Sequence, residues 1–254
     1  MHHALTRKLS GFVDLSFDEQ AAVGALIPRI REVDARVDLT REGDVPEDVH
    51  LILDGFACRY KMLPNGQRQI MAYLIPGDFC DLNVFILDEM DHNIGTIAPC
   101  KVAAIPRSAI DKITSQYPNV TRAFWWCALV DEAVLREWLV NIGGRPPEQR
   151  IAHLMCELLL RLEAVGKVQD NSFVFPLTQA EIADTMGLSS IHVNRTLRHL
   201  RELGLISLKQ RVLRILDVDQ LKALSGFNAN YLHLKNTRWG DRRSEAWLNQ
   251  AQGL

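Results

Sequence analysis

Between residues 31 and 106 the apolar residues come in short runs cut by turn formers. Val49–Leu53 stops at Asp54-Gly55, Ala57–Met62 at Leu63-Pro64-Asn65-Gly66, Gln69–Ile75 at Pro76-Gly77-Asp78, and Lys101–Ile105 at Pro106. Asn65-Gly66 can take the positive φ angles that tight hairpins need. Many short strands with Gly-containing turns predict a sandwich or barrel. Ahead of them, residues 5–30 read as short amphipathic helices. Ser16 stands as an N-cap and Glu19 at the capping-box position three residues on.

Past Pro118 the period becomes helical, with Ala123, Cys127, Val130, Val134, Trp138 and Asn141 at steps of three and four. Phe124, Trp125, Leu135 and Leu139 widen the apolar surface beyond one stripe, more than a helix packed on one side needs. The pattern predicts a long helix at 118–143 that packs on its own domain and on a second copy. Phe124, Cys127, Val130, Val134 and Trp138 are the expected dimer contacts; a central helix of a monomer is the alternative. Gly143-Gly144-Arg145-Pro146-Pro147 breaks the helix and marks a domain boundary. A helix at 148–163 follows, with Ile151, Leu154, Met155, Leu158, Leu159 and Leu162 on one side, and Phe173-Val174-Phe175 reads as a short strand.

Residues 177–216 hold the most specific pattern. Thr178 and Glu181 form a capping box, Ile182, Ala183 and Met186 an inner face, and Gly187 a left-handed stop. Ser189 caps a second helix from Ser190 to about Leu203. Val193, Leu197, Leu200 and Leu203 lie on one of its sides, and Ser190, His192, Asn194, Arg195, Arg198 and Arg201 on the other. Leu205–Leu208 and Val212–Leu216 flank Lys209-Gln210-Arg211 as a hairpin with a basic tip. A helix, a Gly turn, a helix with a basic outer face and a wing is the design that lays its second helix in the DNA major groove. Arg195 suits bidentate bonding to guanine. Ser190, His192 and Asn194 can read base edges or phosphates, and Gln179 and Ser189 sit at helix starts that favour a phosphate. Arg198, Lys209 and Arg211 are phosphate candidates.

Charge supports this division. The 254-residue chain carries 29 Lys/Arg against 31 Asp/Glu, a net charge of −2. Residues 1–145 hold 15 basic against 20 acidic side chains and residues 146–254 hold 14 against 11. Six basic residues and one acid fall between Ser190 and Arg214. A basic patch in one module suggests a polyanion partner; a solvated charged face or a winged helix used for protein contacts are the competing readings. At 47% hydrophobic residues the chain has enough apolar content for one large domain or two small ones. No run reaches the roughly 18 apolar residues that span a bilayer, and the first eight residues lack a signal-peptide stretch, so a cytoplasmic protein without membrane contact is expected. Cys58, Cys80, Cys100, Cys127 and Cys156 show no CxxC spacing and are expected to be reduced, buried thiols with no metal site.

The stretch Leu177–Leu200, LTQAEIADTMGLSSIHVNRTLRHL, resembles the helix-turn-helix of the Crp/Fnr family of bacterial transcription regulators. Gly144–Leu154 is similar to that family's hinge and following helix, and Leu53-Asp54-Gly55 and Ile75–Phe79 to the turns of its cyclic-nucleotide-binding-type β-roll. The likeness spans about residues 10–220. It implies an α+β fold in which an effector-sensing jelly-roll β-roll (1–117), a dimerisation helix (118–143) and a winged helix-turn-helix DNA-binding domain (144–225) precede a C-terminal extension (226–254). It further implies a homodimer on palindromic double-stranded DNA, with RNA polymerase as a further partner.

Two departures from the family pattern stand out. Where cyclic-nucleotide binders have a Gly-Glu-Leu turn and a later Arg-Ser/Thr-Ala, this chain has Cys80-Asp81-Leu82-Asn83 and the arginine-free Met90–Gly95. A cyclic phosphate would lose its charge-assisted bond and face Asp81 and Asp91. Cyclic AMP is therefore disfavoured as effector. The expected pocket residues are Tyr73, Phe79, Cys80, Asp81, Leu82, Asn83 and His92, around either side-chain filling or an unknown small molecule. Second, where many members carry Glu one position after the residue matching Ser190, this chain has Ile191, so its preferred base sequence should differ. No cysteine precedes Cys58, which argues against an N-terminal iron–sulfur sensor.

A cupin-type metal enzyme, or a ligand-binding protein without a DNA role, is the alternative. It would need clustered His and Glu ligands, and His50 and His92 stand alone, while His2 and His3 lie at the terminus. No P-loop, Rossmann glycine motif or nucleophile elbow is present, so no enzymatic activity and no cofactor are expected. Binding of haem or of a protein partner stays open. The segment from Asn228, with Tyr231, Trp239, Trp247, Arg238, Arg242 and Arg243, either packs back on the body or is loose.

Overall fold

The computed structural model describes residues 4–27, 29–82, 86, 87 and 89–234. Helices α1 (Ala4–Ser10) and α2 (Phe17–Ala25) lead the chain. The sequence-predicted capping box closes at the start of α2: Ser16 Oγ accepts from the Glu19 N–H, and the Glu19 carboxylate accepts from the Ser16 N–H at 2.8 Å.

Among the described residues seven strands follow: β1 (Ile30–Val33), β2 (Asp38–Thr40), β3 (Asp48–Asp54), β4 (Ala57–Met62), β5 (Arg68–Leu74), β6 (Asn93–Thr96) and β7 (Cys100–Pro106). They form two antiparallel sheets, ordered β1-β7-β3 and β2-β6-β4-β5. Ile52, Ala57, Leu74, Cys80, Ile94 and Val102 fill the space between them. The Asp54-Gly55 turn is tight because Gly55 has φ +92° and lies against the Pro99 carbonyl and Cys100, with no room for a Cβ. The four strands legible as apolar runs are β3, β4, β5 and β7. The sequence did not reveal β1, β2 and β6, which are three or four residues long and carry polar residues at several positions.

After α3 (Arg107–Gln116) comes the long helix α4 (Pro118–Gly144). It runs through both glycines rather than breaking at them. It stops because Pro146 forces Arg145 into an extended conformation (φ −99°, ψ 145°). The expected dimer contacts need correction. Phe124, Cys127, Val130, Val134 and Trp138 are all buried inside their own protomer. Phe124 stacks edge-on with Phe79, and Trp138 with Tyr73. The face of α4 left in solvent carries Arg122, Trp125, Leu129, Glu132, Arg136, Leu139 and Gly143, at steps of 3, 4, 3, 4, 3 and 4, flanked by Leu135 and Val140. The helix has two apolar stripes, and periodicity alone does not say which one the protomer keeps.

Helix α5 (Pro147–Ala164) is the axis of the second half. Its sequence pattern predicts one buried side, but residues 151–160 are buried on every side, His153, Cys156 and Glu157 included. Around it stand β8 (Ser172–Val174), α6 (Gln179–Met186), α7 (Ser190–Glu202), β9 (Ile206–Lys209), β10 (Val212–Ile215) and α8 (Val218–Ser225). The three strands form an antiparallel sheet ordered β8-β10-β9. Beyond α8 the chain turns back on itself. A 3-10 turn at Ala229–Leu232 lays Tyr231 against His153 and donates its phenol to Glu157 at 2.9 Å. His233 and Phe12 both meet Trp126 of α4. The start of the extension therefore packs on the body. Trp239, Trp247, Arg238, Arg242 and Arg243 lie outside the described residues.

Buried polar contacts tie the two halves. Arg161 reaches Glu157 at 3.0 Å and Asp78 at 2.8 Å, Asp78 also holds Lys8 at 2.6 Å, and Trp138 donates to Glu157 at 2.9 Å. Burial alone would push the Asp78 carboxyl up, but Lys8 and Arg161 outweigh it and hold it below its ordinary range. The Lys8 ammonium is shifted the other way: burial would lower it, and Asp78 more than reverses this. On the outer face of β5, the Tyr73 hydroxyl meets Thr185 and the Glu181 carbonyl, and Arg68 pairs with Asp184 at 2.9 Å.

Candidate nucleic-acid interface

The geometry of α6 and α7 follows from their ends. Thr178 and Glu181 close the capping box that starts α6, and Gly187 ends it at φ +63°, in the left-handed region. Ser189 Oγ then accepts from the His192 N–H to start α7. Val193, Leu197 and Leu200 are buried and fix the rotation of α7, turning Ser190, Ile191, Asn194, Arg195 and Arg198 outward. With Gln179 from the first turn of α6, these five line one open concavity.

All nine residues expected to touch DNA are exposed: Gln179, Ser189, Ser190, His192, Asn194, Arg195, Arg198, Lys209 and Arg211. The structure gathers Gln179, Ser190, Asn194, Arg195 and Arg198 in the concavity. Ser189 and His192 sit at its edge, with Ser189 Oγ 3.0 Å from His192 Nδ1. Arg198 is tethered to Glu202 at 2.7 Å across one helical turn. Lys209 and Arg211 lie at the wing, where Gln210 and Arg211 take φ of +48° and +61° to turn β9 into β10. Such a surface can donate to phosphates along its rim and to base edges at its centre. Ile191 is the member absent from the expected contacts. Its phase was legible, since 191, 194, 195 and 198 share one helix face.

A second site lies between the sheets and α4. It encloses about 340 Å³ and is lined in part by Arg59, Phe79, Cys80, Asp81, Leu82, Glu89, Asp91, His92, Asp131 and Glu132. Phe79, Cys80, Asp81, Leu82 and His92 come together there as expected; Asn83 lies outside the described residues. Tyr73 does not belong to it. Met71 is an extra residue bulged out of the β4–β5 register, and it and Ala72 line the cavity, while Tyr73 faces α6 instead. No local pattern announces Arg59, Lys8 and Asp131, which only the tertiary fold brings to this place. Arg59 donates to the carbonyls of Phe79 and Cys80 and to Asp131 at 2.9 Å, and Lys8 pairs with Asp78, so both cations are already committed. Asp81 holds His50. His92 bonds Asp91, and burial pushes its imidazole down. Among the described residues no group of three or more His, Cys, Asp or Glu side chains is placed to hold a metal ion, and no helix is long and apolar enough to cross a membrane.

Comparison with known proteins agrees with this geometry. Residues 30–117 match the cyclic nucleotide-binding domain, and residues 149–224 match the Crp-like helix-turn-helix domain. A probable transcriptional activator of Rhizobium leguminosarum bv. viciae is 26% identical over 195 residues, covering 76% of this chain and 80% of that protein. The nitrogen fixation regulation protein FixK of Bradyrhizobium diazoefficiens is 27% identical over 185 residues, covering 72% and 76%. Among solved structures, FixK2 from Bradyrhizobium japonicum superposes with a TM-score of 0.70 at 22% identity, covering 77% of this chain and 96% of that one. A transcriptional regulator of the CRP family from Thermus thermophilus gives 0.61 at 18%, covering 77% and 96%. The β-roll, the long helix and the winged helix-turn-helix are thus those of a known architecture, and the chain belongs to the Crp/Fnr family of DNA-binding transcription regulators.

Proposed function

We propose that the protein works as a homodimer on a palindromic duplex, each copy placing the outer face of α7 in a major groove. The observation that carries this is the concavity of Gln179, Ser190, Asn194, Arg195 and Arg198, which is exposed, polar and basic on a helix whose rotation the core fixes. The exposed stripe of α4, with Trp125, Leu129 and Leu139 at coiled-coil spacing, supports pairing with a second copy. Two α7 helices would then stand about 34 Å apart, one turn of DNA. One relative named above is a probable transcriptional activator, which supports recruitment of RNA polymerase, and a DNA target supports a cytoplasmic protein.

The cavity beside α4 supports an effector site that rejects cyclic AMP. Its lining cations Lys8 and Arg59 are spent on Asp78 and Asp131, and Asp81, Glu89, Asp91 and Glu132 would face the phosphate. An effector without an anionic group would act by shifting α4 and the Arg145–Pro147 joint. The test of the main reading is site selection from random duplex DNA, followed by Arg195→Ala. Loss of the bidentate guanine contact should weaken binding to the selected site by about 1–3 kcal/mol per half-site. Unchanged affinity refutes the assignment.

A further inference from the structure

Ile191 is 73% exposed on the second residue of α7, in a helix whose own core contacts are made by Val193, Leu197 and Leu200. Packing does not call for an isoleucine there. It lies on one face with Asn194, Arg195 and Arg198, inside the concavity otherwise lined by polar and charged side chains. In a duplex groove an isoleucine can neither donate nor accept a hydrogen bond. Against cytosine, adenine or guanine it would strip water from a donor or acceptor and give nothing back. The one apolar group on a major-groove base edge is the C5 methyl of thymine. Resting on the DNA reading of α7, we propose that Ile191 is a specificity-determining residue that selects a thymine in each half-site by contact with its methyl group.

The position of that thymine follows from the helix. Ile191 and Arg195 are four residues apart, about 6 Å along the axis at 1.5 Å per residue, and successive bases of one strand are about 3.4 Å apart. The thymine therefore falls within about two base pairs of the guanine read by Arg195. Burying one methyl group stabilises by about 0.8 kcal/mol, roughly a fourfold change in affinity. Removing both methyls from a two-fold site should cost about fifteenfold by the same figure.

The experiment uses the full chain. A binding site is selected from random duplex DNA, and each thymine is replaced in turn by deoxyuridine, which removes only the methyl. Affinities are measured by fluorescence anisotropy for the parent protein and for Ile191→Ala, whose exposed position leaves the core intact. The expected result is one symmetry-related thymine, near the Arg195 guanine, at which the parent loses about fourfold per half-site and Ile191→Ala loses nothing. A selected site at which no thymine shows this dependence on residue 191 overturns the thymine contact alone. If no site is selected at all, the DNA reading and the contact fall together.

Discussion

Truncating Leu139 to alanine tests which stripe of α4 faces a second copy. Leu139 is 68% exposed, so about two thirds of a leucine side chain is still open to burial in a dimer. Full burial of such a side chain is worth about 1.5–3 kcal/mol, so the remainder is worth about 1–2 kcal/mol. Two-fold symmetry counts the change in each protomer, giving about 2–4 kcal/mol per dimer, or a dimer dissociation constant raised roughly 30- to 1,000-fold. Analytical ultracentrifugation over a concentration series reads this directly. Val134→Ala is the control: Val134 is buried in its own protomer, so its truncation should lower unfolding stability and leave dimerisation nearly as it was. Equal dimerisation of parent and Leu139→Ala, with weakening in Val134→Ala instead, would refute the assignment of the exposed stripe.

Further outcomes follow from the buried groups. Tyr231→Phe removes one hydrogen bond to the buried Glu157 carboxylate while keeping the ring; chemical denaturation should show a loss of about 1.5–3 kcal/mol. Burial, with Arg145 nearby, lowers the His153 imidazole to about 3. Below about pH 6.5 the unfolded chain takes up a proton there that the folded chain refuses. Stability therefore falls as pH falls between about 6.5 and about 3, by about 2 kcal/mol from pH 7 to pH 5, and His153→Phe should lose that part of the pH dependence. Calorimetric titration with cyclic AMP should give no binding heat, and the melting temperature should not move with the nucleotide.

What the sequence made legible was local. The capping boxes at Ser16 and Thr178, the left-handed stop at Gly187 and the inward leucines of α7 are short-range features, each settled within a few residues of chain. The outward face of α7 followed, and with it the nine exposed DNA candidates. The features that stayed hidden depend on distant segments. Arg59 meets Asp131 across 72 positions of sequence, and no spacing rule announces such a pair. Tyr73 misled because a bulge at Met71 changes which residues of β5 face the cavity. The dimer stripe misled because α4 is apolar on two sides, and composition does not rank them.

The return of the chain after α8 has a mechanical consequence. Phe12, near the start of the chain, and His233, near the end of its described part, meet on the same Trp126, so the fold is fastened like a belt with its buckle on α4. A swing of the DNA-reading unit about Arg145–Pro147 cannot proceed by degrees while Thr185 grips Tyr73 and Arg161 grips Asp78 across the joint. Both catches cross the joint, so such a swing has to break the two of them, as opening a latch does, and is not a gradual bend of a spring.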